Sequence, residues 1–267
     1  MQRIGLIAGR GSFPLLFVQE AKKAGCFVMA IAVKGETNPK LKNIADKICW
    51  IKVWEYRKIF DIFSKESIKE IAMAGQIHPR HLFNRRVLEN KDFQPLLNKI
   101  KDRRADTLFS AIAEELEKAG FKLMDSTCFL KEYMPQKGVL SQRQPTFREW
   151  EDIYFGMVAA KYCANFDIGQ TVAVKNKAVV AVEALEGTDA AIWRAGKIAR
   201  SGITIVKVSK PRQDMRFDIP VVGLRTIKNL IRAKAGCLAI EAGKTLFLDR
   251  DISIRLANIK NICVVAV

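Results

Sequence analysis

The chain has 267 residues, of which 49% are hydrophobic and 27% are charged, and its formal net charge at pH 7 is +17. This composition is typical of a folded globular protein rather than a disordered one, and no run of about 18 uncharged apolar residues predicts a transmembrane helix. The first residues lack the apolar region and cleavage site of a signal peptide, so we expect a cytoplasmic protein.

The positive charge is spread over both halves of the chain and forms no basic tail. A uniformly basic globular protein suits an anionic partner, which is a nucleic acid, a phosphorylated substrate or the cytoplasmic membrane surface. The six cysteines include no Cys-x-x-Cys pair, and the chain has only two histidines. We therefore expect neither a disulfide framework nor a zinc site.

Short apolar runs alternate with helical patterns through the first half of the chain. The predicted strands are 4–8, 27–33, 48–53 and 71–74, and the predicted helices are 13–24, 56–65 and 106–119. This alternation predicts a mostly parallel sheet with helices on its faces.

The pattern is interrupted where Pro135, Gly138 and Pro145 fall close together without sustained apolar periodicity. We therefore divide the chain into an N-terminal domain, a linker and a C-terminal domain, at residues 1–134, 135–145 and 146–267. The second domain opens with a helix, because Thr146 followed by Glu149 is a capping-box signature. Strands and helices then alternate again: strands at 171–174, 178–183, 203–208, 237–241, 245–248 and 262–265, and helices at 146–165, 189–200 and 251–258.

The first candidate site is the loop that follows the first strand. Gly9 and Gly11 allow a tight turn, and the helix that begins after them offers free backbone N–H groups to a phosphate. Ser12 is placed to cap this helix, and Pro14 fits its first turn. The full dinucleotide fingerprint fails, since Leu15 and its neighbour stand where the third glycine is needed.

The second candidate site follows the strand at 71–74. Loops after parallel strands line one edge of a sheet, so Gly75 and Arg80 are expected to face the same crevice as the first glycine loop. His78 has no carboxylate nearby in the sequence to orient it, and we favour a surface histidine over an acid or base.

The third candidate site ends the strand at 178–183 and begins the next helix. Thr188 or Asp189 is expected to cap that helix, with Gly187 before them. Capping does not explain Glu183 and Glu186, which are candidates for holding a metal ion.

The densest group of charges lies between residues 207 and 223, directly after an apolar run. Two carboxylates and four cations fall within these seventeen residues: Asp214, Asp218, Lys207, Lys210, Arg212 and Arg216. Carboxylates hold a hard cation and basic groups hold phosphate oxygens, so this loop predicts phosphoryl chemistry with Mg²⁺.

With these residues assembled, the chain resembles the LpxI-type UDP-2,3-diacylglucosamine pyrophosphatases of lipid A biosynthesis. The resemblance spans nearly the whole length and is carried by residues 4–14, 138–140, 181–189, 210–223 and 239–245. It implies a Rossmann-like N-terminal domain followed by a smaller C-terminal α/β domain. It also implies Mg²⁺-dependent hydrolysis of a lipid-linked UDP-sugar to UMP and 2,3-diacylglucosamine 1-phosphate, at the inner face of the cytoplasmic membrane, by a homodimer.

On this resemblance we expect the reaction centre in the loop 207–223. Asp214, Asp218 and Glu186 are the expected metal ligands or activators of water, and Lys210 and Arg216 would clamp the pyrophosphate. The expected substrate contacts are Gly9, Gly11, Ser12, Gly75, Arg80, Gly187, Thr188, Asp189, Lys207 and Gln213.

Three other functions remain open at this point. A nucleotide-binding oxidoreductase is suggested by the first glycine loop, but the third glycine is missing and only Glu36 follows the second strand as an acidic candidate. Another nucleotide-sugar or lipid-phosphate enzyme would share the same site. A basic RNA-binding protein would interleave aromatic residues with its basic patches, whereas the aromatics here concentrate in apolar runs, so we expect no nucleic-acid partner.

Overall fold

The computed structural model describes residues 1–102 and 104–267. The chain folds into two compact units. Unit 1 contains residues 1–130 together with 214–218, and unit 2 contains 131–213 together with 219–267. The second half of the chain therefore contributes one short segment to unit 1.

Unit 1 is built on a parallel sheet whose strands run in the order β3-β2-β1-β4-β5 within the described residues. Its strands are β1 Arg3–Ala8, β2 Phe27–Val33, β3 Lys47–Ile51, β4 Glu70–Ala74 and β5 Lys122–Leu123. Its helices are α1 Phe13–Lys23, α2 Lys58–Lys65, α3 Arg85–Leu88, α4 Gln94–Lys99 and α5 Ala105–Lys118. Strand β2 is almost entirely buried, as its continuous apolar sequence predicts for a parallel strand covered on both faces.

The order of the strands in unit 1 decides where its loops gather. The sheet winds outward from β1 in both directions, so the loops after β1 and β4 leave the same edge side by side. Crevices at such a switch point are where parallel α/β sheets bind ligands. One hydrophobic core packs around Phe63, Leu96 and Leu116 and includes the partly buried Phe217.

Unit 2 contains a mixed sheet in the order β6-β13-β11-β9-β7-β8 and a short parallel pair β10-β12. Its strands are β6 Gly138–Val139, β7 Thr171–Lys175, β8 Ala178–Val182, β9 Thr204–Lys207, β10 Val221–Val222, β11 Cys237–Ile240, β12 Leu246–Phe247 and β13 Cys263–Ala266. Its helices are α6 Phe147–Asn165, α7 Thr188–Ala199, α8 Leu224–Arg232 and α9 Arg250–Ile259. Successive side chains of β9 enter different cores, Ile205 on one face and Val206 on the other, because side chains alternate across a strand.

The α/β fold and its parallel-sheet first domain are confirmed, and every predicted helix and strand is present with each end within two residues of its prediction. The capping box of Thr146 and Glu149 is also confirmed. All six cysteines, which are among the described residues, are free. In the part of the chain that the structure describes, no helix is both long and apolar enough to cross a membrane.

Candidate active site

The two glycine loops of unit 1 lie against each other. The Gly9 N–H donates to the Ala74 carbonyl at 2.8 Å, and Arg10 and Gln76 form an antiparallel bridge. A Cβ at Gly9 would lie 2.7 Å from the Gln76 carbonyl oxygen, and one at Gly75 would lie 2.5 Å from the Arg10 carbonyl oxygen. The close approach of the two backbones therefore explains both glycines, and it brings the predicted loops together.

The start of helix α1 differs from the prediction in one respect. Ser12 occupies the N-cap position, but its side chain makes no capping hydrogen bond, so the predicted capping role is wrong. Its backbone is already helical (φ −93°, ψ −13°), whereas a capping side chain normally needs an extended backbone. Gly11 has a positive φ of +93°, and a Cβ there would meet nothing within 4 Å.

Beyond β4, Arg80 pairs with Glu36, which the sequence suggested only as the acidic residue of a dinucleotide site. Glu36 follows β2, and its side chain is 2% exposed. One of its oxygens lies 2.9 Å from Nε2 of His81 and 3.5 Å from Nη2 of Arg80, and the other accepts the His78 N–H at 3.2 Å. His78 itself accepts the Arg80 N–H through Nδ1 at 3.1 Å, so it shapes the turn. The sequence alone does not reveal this cluster, because Glu36 and His81 follow different strands.

The segment 214–218 is fastened to unit 1 by its backbone. The Met215 carbonyl accepts the Ser126 N–H at 2.9 Å. The Ser126 hydroxyl lies 2.6 Å from the Arg216 carbonyl oxygen and 2.5 Å from the Met73 carbonyl oxygen at the end of β4. Phe217 stacks on Phe109 with ring centroids 6.1 Å apart. These contacts hold the segment near the end of β4, at the edge where parallel α/β sheets generally bind ligands.

Arg216 connects the two carboxylates of this region. Its Nε donates to Oδ1 of Asp214 at 2.9 Å and its Nη2 to Oδ2 at 2.7 Å, while Nη1 donates to Oε1 of Glu117 at 2.6 Å. The hydrogen bonds from Arg216 lower the pKa of Asp214, and the same pairing raises the pKa of Arg216. Asp214 is therefore ionised at neutral pH and is a weak base. The Asp218 N–H donates to the Asp214 carbonyl at 3.0 Å, which closes the turn.

In unit 2, a buried cluster joins the end of β8 to β9 and the start of α7. Nζ of Lys207 donates to Oγ1 of Thr188 at 2.9 Å, and that hydroxyl donates to Oε1 of Glu183 at 2.7 Å. Lys207 also donates to Oγ1 of Thr171 at 3.2 Å and lies 3.6 Å from Oε2 of Glu183. Burial raises the pKa of Glu183, but the nearby ammonium of Lys207 and hydrogen bonds outweigh it, and the net pKa is lowered. Lys207 is thus an internal cation with its countercharge beside it.

The predicted cap of helix α7 is also corrected. The N-cap residue is Gly187, with φ +84°, and neither Thr188 nor Asp189 caps the helix. Thr188 is turned toward the buried cluster, and Asp189 accepts a hydrogen bond at 2.6 Å from Asn229 and pairs at 2.6 Å with Arg225. Asp189 therefore ties α7 to α8.

The loop after β9 is anchored by charges on both sides. Nζ of Lys210 lies 2.5 Å from Oδ1 of Asp167, and its N–H donates to Oε1 of Gln213 at 2.6 Å. Before it, the carboxylate of Glu241 accepts the N–H and the hydroxyl of Ser209, both at 2.8 Å.

The same carboxylate is held by two lysines. Lys161 donates to Oε2 of Glu241 at 2.6 Å, and Lys244 donates to Oε1 at 2.8 Å. Burial raises the pKa of Glu241, but these ammonium groups and the bonds from Ser209 lower it to about 2. Glu241 lies in one of the motifs that carry the resemblance, yet the motif alone indicated no role for it. The signal for such a role is an acidic residue at the end of an apolar strand, because a buried charge needs partners.

The predicted metal ligands do not form a preorganised cluster within either unit. Among residues 1–102 and 104–267, no group of three or more His, Cys, Asp or Glu side chains has the arrangement of a metal site. Both oxygens of Asp214 accept from Arg216, and Glu186, which belongs to unit 2, pairs with Arg194 at 3.0 Å. Mg²⁺ commonly takes one or two carboxylates and completes its shell with water and substrate phosphate. Carboxylates are ligands of the kind that Mg²⁺ takes, so the chemistry of these residues is compatible with the ion, and its binding stays a prediction.

The predicted site residues divide between the two units. Unit 1 holds Gly9, Gly11, Ser12, Gly75, Arg80, Asp214, Arg216 and Asp218, and unit 2 holds Glu186, Gly187, Thr188, Asp189, Lys207, Lys210 and Gln213. Within unit 1, the parallel sheet of the switch-point type collects both glycine loops and the charged 214–218 segment around one edge. The fold therefore defines a two-domain α/β protein whose predicted site residues are divided between its two units.

The particular family follows from comparison with known proteins. The LpxI N-terminal domain model matches residues 3–133, and the LpxI C-terminal domain model matches residues 136–265. The chain therefore belongs to the LpxI family, which confirms the resemblance identified from its sequence. It is 29% identical over 270 aligned residues to a protein of Caulobacter vibrioides named UDP-2,3-diacylglucosamine pyrophosphatase LpxI, with 97% of this chain and 95% of that protein covered.

Solved structures show weaker similarity. The biotin carboxylase subunit of pyruvate carboxylase is 14% identical with a TM-score of 0.29, over 75% of this chain and 42% of that one. The N5-carboxyaminoimidazole ribonucleotide synthetase of Thermotoga maritima is 15% identical with a TM-score of 0.28, over 70% and 43%. The chain spans less than half the length of either structure.

Proposed function

We propose that this protein hydrolyses the pyrophosphate bond of UDP-2,3-diacylglucosamine, giving UMP and 2,3-diacylglucosamine 1-phosphate for lipid A biosynthesis. The observation that carries the proposal is the match of both LpxI domains, which together extend from residue 3 to residue 265. The similar Caulobacter protein is named for this activity. The charged segment between residues 207 and 223 supplies groups that suit a pyrophosphate.

The roles of the site residues follow from their contacts. Arg216 has five N–H donors in a fixed plane, and its bonds to Asp214 and Glu117 leave donors for a phosphate oxygen. Asp214 keeps the guanidinium oriented. The ammonium group of Lys210 would leave Asp167 and bind a phosphate oxygen instead. The remaining substrate contacts would come from Arg80, Gln213 and the amides near Gly11, Ser12 and Gly187.

Magnesium dependence is part of the proposal. The candidate ligands are the carboxylates of Asp214, Asp218 and Glu186. The ion that they hold would also bind the pyrophosphate. When bound, Mg²⁺ would neutralise charge that accumulates on the phosphate oxygens. One of the same three carboxylates would orient the attacking water.

The substrate also suggests where the protein works. A diacylated sugar nucleotide remains in a membrane through its acyl chains, and the net charge of +17 favours the anionic inner face of the cytoplasmic membrane. We propose a cytoplasmic protein that binds this surface peripherally and acts as a homodimer.

Release of UMP from UDP-2,3-diacylglucosamine tests the proposal, measured in EDTA and across a Mg²⁺ titration. We expect release only with the metal, and a loss of at least about 100-fold in Asp214→Ala. Asp46→Ala, which removes a carboxylate paired with Lys22 away from this region, is the matched control and should retain activity. Equal activity of both variants, or release that is unaffected by EDTA, would contradict the assigned roles.

A further inference from the structure

Helix α6 of unit 2 has a buried face and an apolar exposed face. On the inner side, Ile153 and Ala160 are fully buried against the sheet. The outer side shows Tyr154, Val158, Tyr162 and, just past the end of the helix, Phe166, which are 61, 58, 69 and 65% exposed. Isolated exposed apolar residues are common, but a contiguous row of them marks an interaction surface.

Charged side chains are few on this outer face, and Arg148 is exposed near its start. The exposed apolar residues from 147 to 166 are Phe147, Tyr154, Phe155, Val158, Tyr162 and Phe166. The neighbouring Glu151 and Lys161 are paired with Lys177 and Glu241. A helix that lies on a membrane carries many Lys and Arg residues on its polar side, whereas the centre of a protein interface is poor in charge and rich in Tyr and Phe. The face therefore fits a protein partner better than a lipid surface.

The row of side chains is symmetric about its centre. Trp150, Tyr154, Val158, Tyr162 and Phe166 follow each other at intervals of four residues, so two aromatics precede the valine and two follow it. Trp150 stacks on Tyr154 with centroids 5.6 Å apart. An isologous contact places each residue against its mirror position on the second copy, so such a sequence is complementary to itself.

The geometry of the row also suits a second copy. Rows spaced by four residues are the ridges that pack in the commonest class of helix pair, with an axis crossing of about −50°. A twofold axis at Val158 would place Tyr154 of one copy on the same side as Tyr162 of the other. The small valine at the crossing lets the helices approach.

A hollow beside the row offers further depth for a partner side chain. Its volume is about 460 Å³, and it is lined by Met157, Val158, Lys161, Tyr162, Asn165 and Pro211. An aromatic side chain from a second copy would be accommodated there.

The exposed area is close to what a stable dimer needs. Aromatic side chains bury roughly 200 Å² each when fully covered, so the exposed fractions of this face amount to roughly 700 Å² per copy. A standard interface covers about 800 Å² per partner. We propose that two copies of this chain associate through α6 around a twofold axis at Val158. This inference rests on the homodimer proposed above and does not depend on the proposed reaction.

Light scattering of the full chain at micromolar concentration tests the interface. The wild-type protein should have twice the chain mass of 30.1 kDa, and Val158→Glu should have the single mass, because two carboxylates would face each other at the axis. We expect association to weaken by roughly 100-fold or more. Ile259→Glu, at a 76% exposed position on α9, is the matched control and should stay dimeric. Circular dichroism of each variant confirms folding.

Oxidative cross-linking tests the register without removing the contact. Val158→Cys should form a covalent dimer with copper phenanthroline, whereas Tyr154→Cys should do so far less, because its own copy lies about 12 Å away along the helix. A monomeric wild type, a dimeric Val158→Glu, or equal cross-linking at both positions would overturn the proposal. A monomer that binds anionic vesicles through this face would also overturn it and assign the face to the membrane. Each result is independent of UMP release.

Discussion

The hydrogen-bonded carboxylate of Glu241 allows a quantitative prediction about stability. Its pKa is lowered from 4.5 to about 2 in the folded protein. A group whose folded pKa is depressed contributes stability above its unfolded pKa, and this contribution is lost as the pH falls toward the folded value. The shift corresponds to about 3 kcal/mol at pH 7 and to about half of that at pH 3, as an order of magnitude.

Glu241→Gln should remove this contribution and leave Lys161 without its countercharge. We expect the free energy of unfolding at pH 7 to fall by about 3 kcal/mol, measured by urea denaturation. The difference between wild type and variant should shrink as the pH is lowered from about 5 to about 3. Glu151→Gln, which breaks a more exposed pair with Lys177, is the control and should cost under about 1 kcal/mol. Equal losses in the two variants, or a difference that does not change with pH, would refute the reasoning.

Four further substitutions test other contacts. Gly75→Ala should lower the free energy of unfolding by about 3 kcal/mol, since a Cβ there meets the Arg10 carbonyl at 2.5 Å. Gly11→Ala should lower it by only about 1 kcal/mol, because a Cβ there meets open space. Similar losses of the two variants in thermal melts would contradict this difference. Thr188→Val should cost about 2 kcal/mol in urea denaturation, because Glu183 loses a buried hydrogen bond, and an unchanged midpoint would exclude that role. Arg216→Lys should reduce kcat/KM for UMP release by about 10- to 100-fold, because lysine lacks the planar guanidinium that binds two oxygens at once. The thermal midpoint should change by no more than a few degrees. Full activity of this variant would show that Arg216 does not belong to the site.

Local patterns were sufficient for most of the regular elements. Apolar runs such as β2 and capping signatures such as Thr146 with Glu149 depend on neighbouring residues, so the sequence predicts them well. Helix α8 (Leu224–Arg232) was missed although Ile227 and Leu230 have helical spacing. The two-residue strands β5, β6 and β10 were missed because a strand this short is defined by its partner.

The candidate site depended more on distant contacts. The position of segment 214–218 in unit 1 rests on Ser126, which is 90 residues from Arg216 in the chain. Thr188 was predicted to cap a helix, but Lys207 of β9 engages its hydroxyl instead, and Gly187 takes the cap. Residue types therefore indicated the chemistry, whereas pairings across strands decide which charges are already balanced.

Identification of both products from wild-type protein tests the central claim most directly. UDP-2,3-diacylglucosamine is incubated with the protein and Mg²⁺, and the products are quantified by mass spectrometry. Hydrolysis of the pyrophosphate bond predicts UMP and 2,3-diacylglucosamine 1-phosphate in equal amounts. Formation of UDP with the unphosphorylated diacylated sugar, or an unchanged substrate with folded protein, would contradict the proposed function.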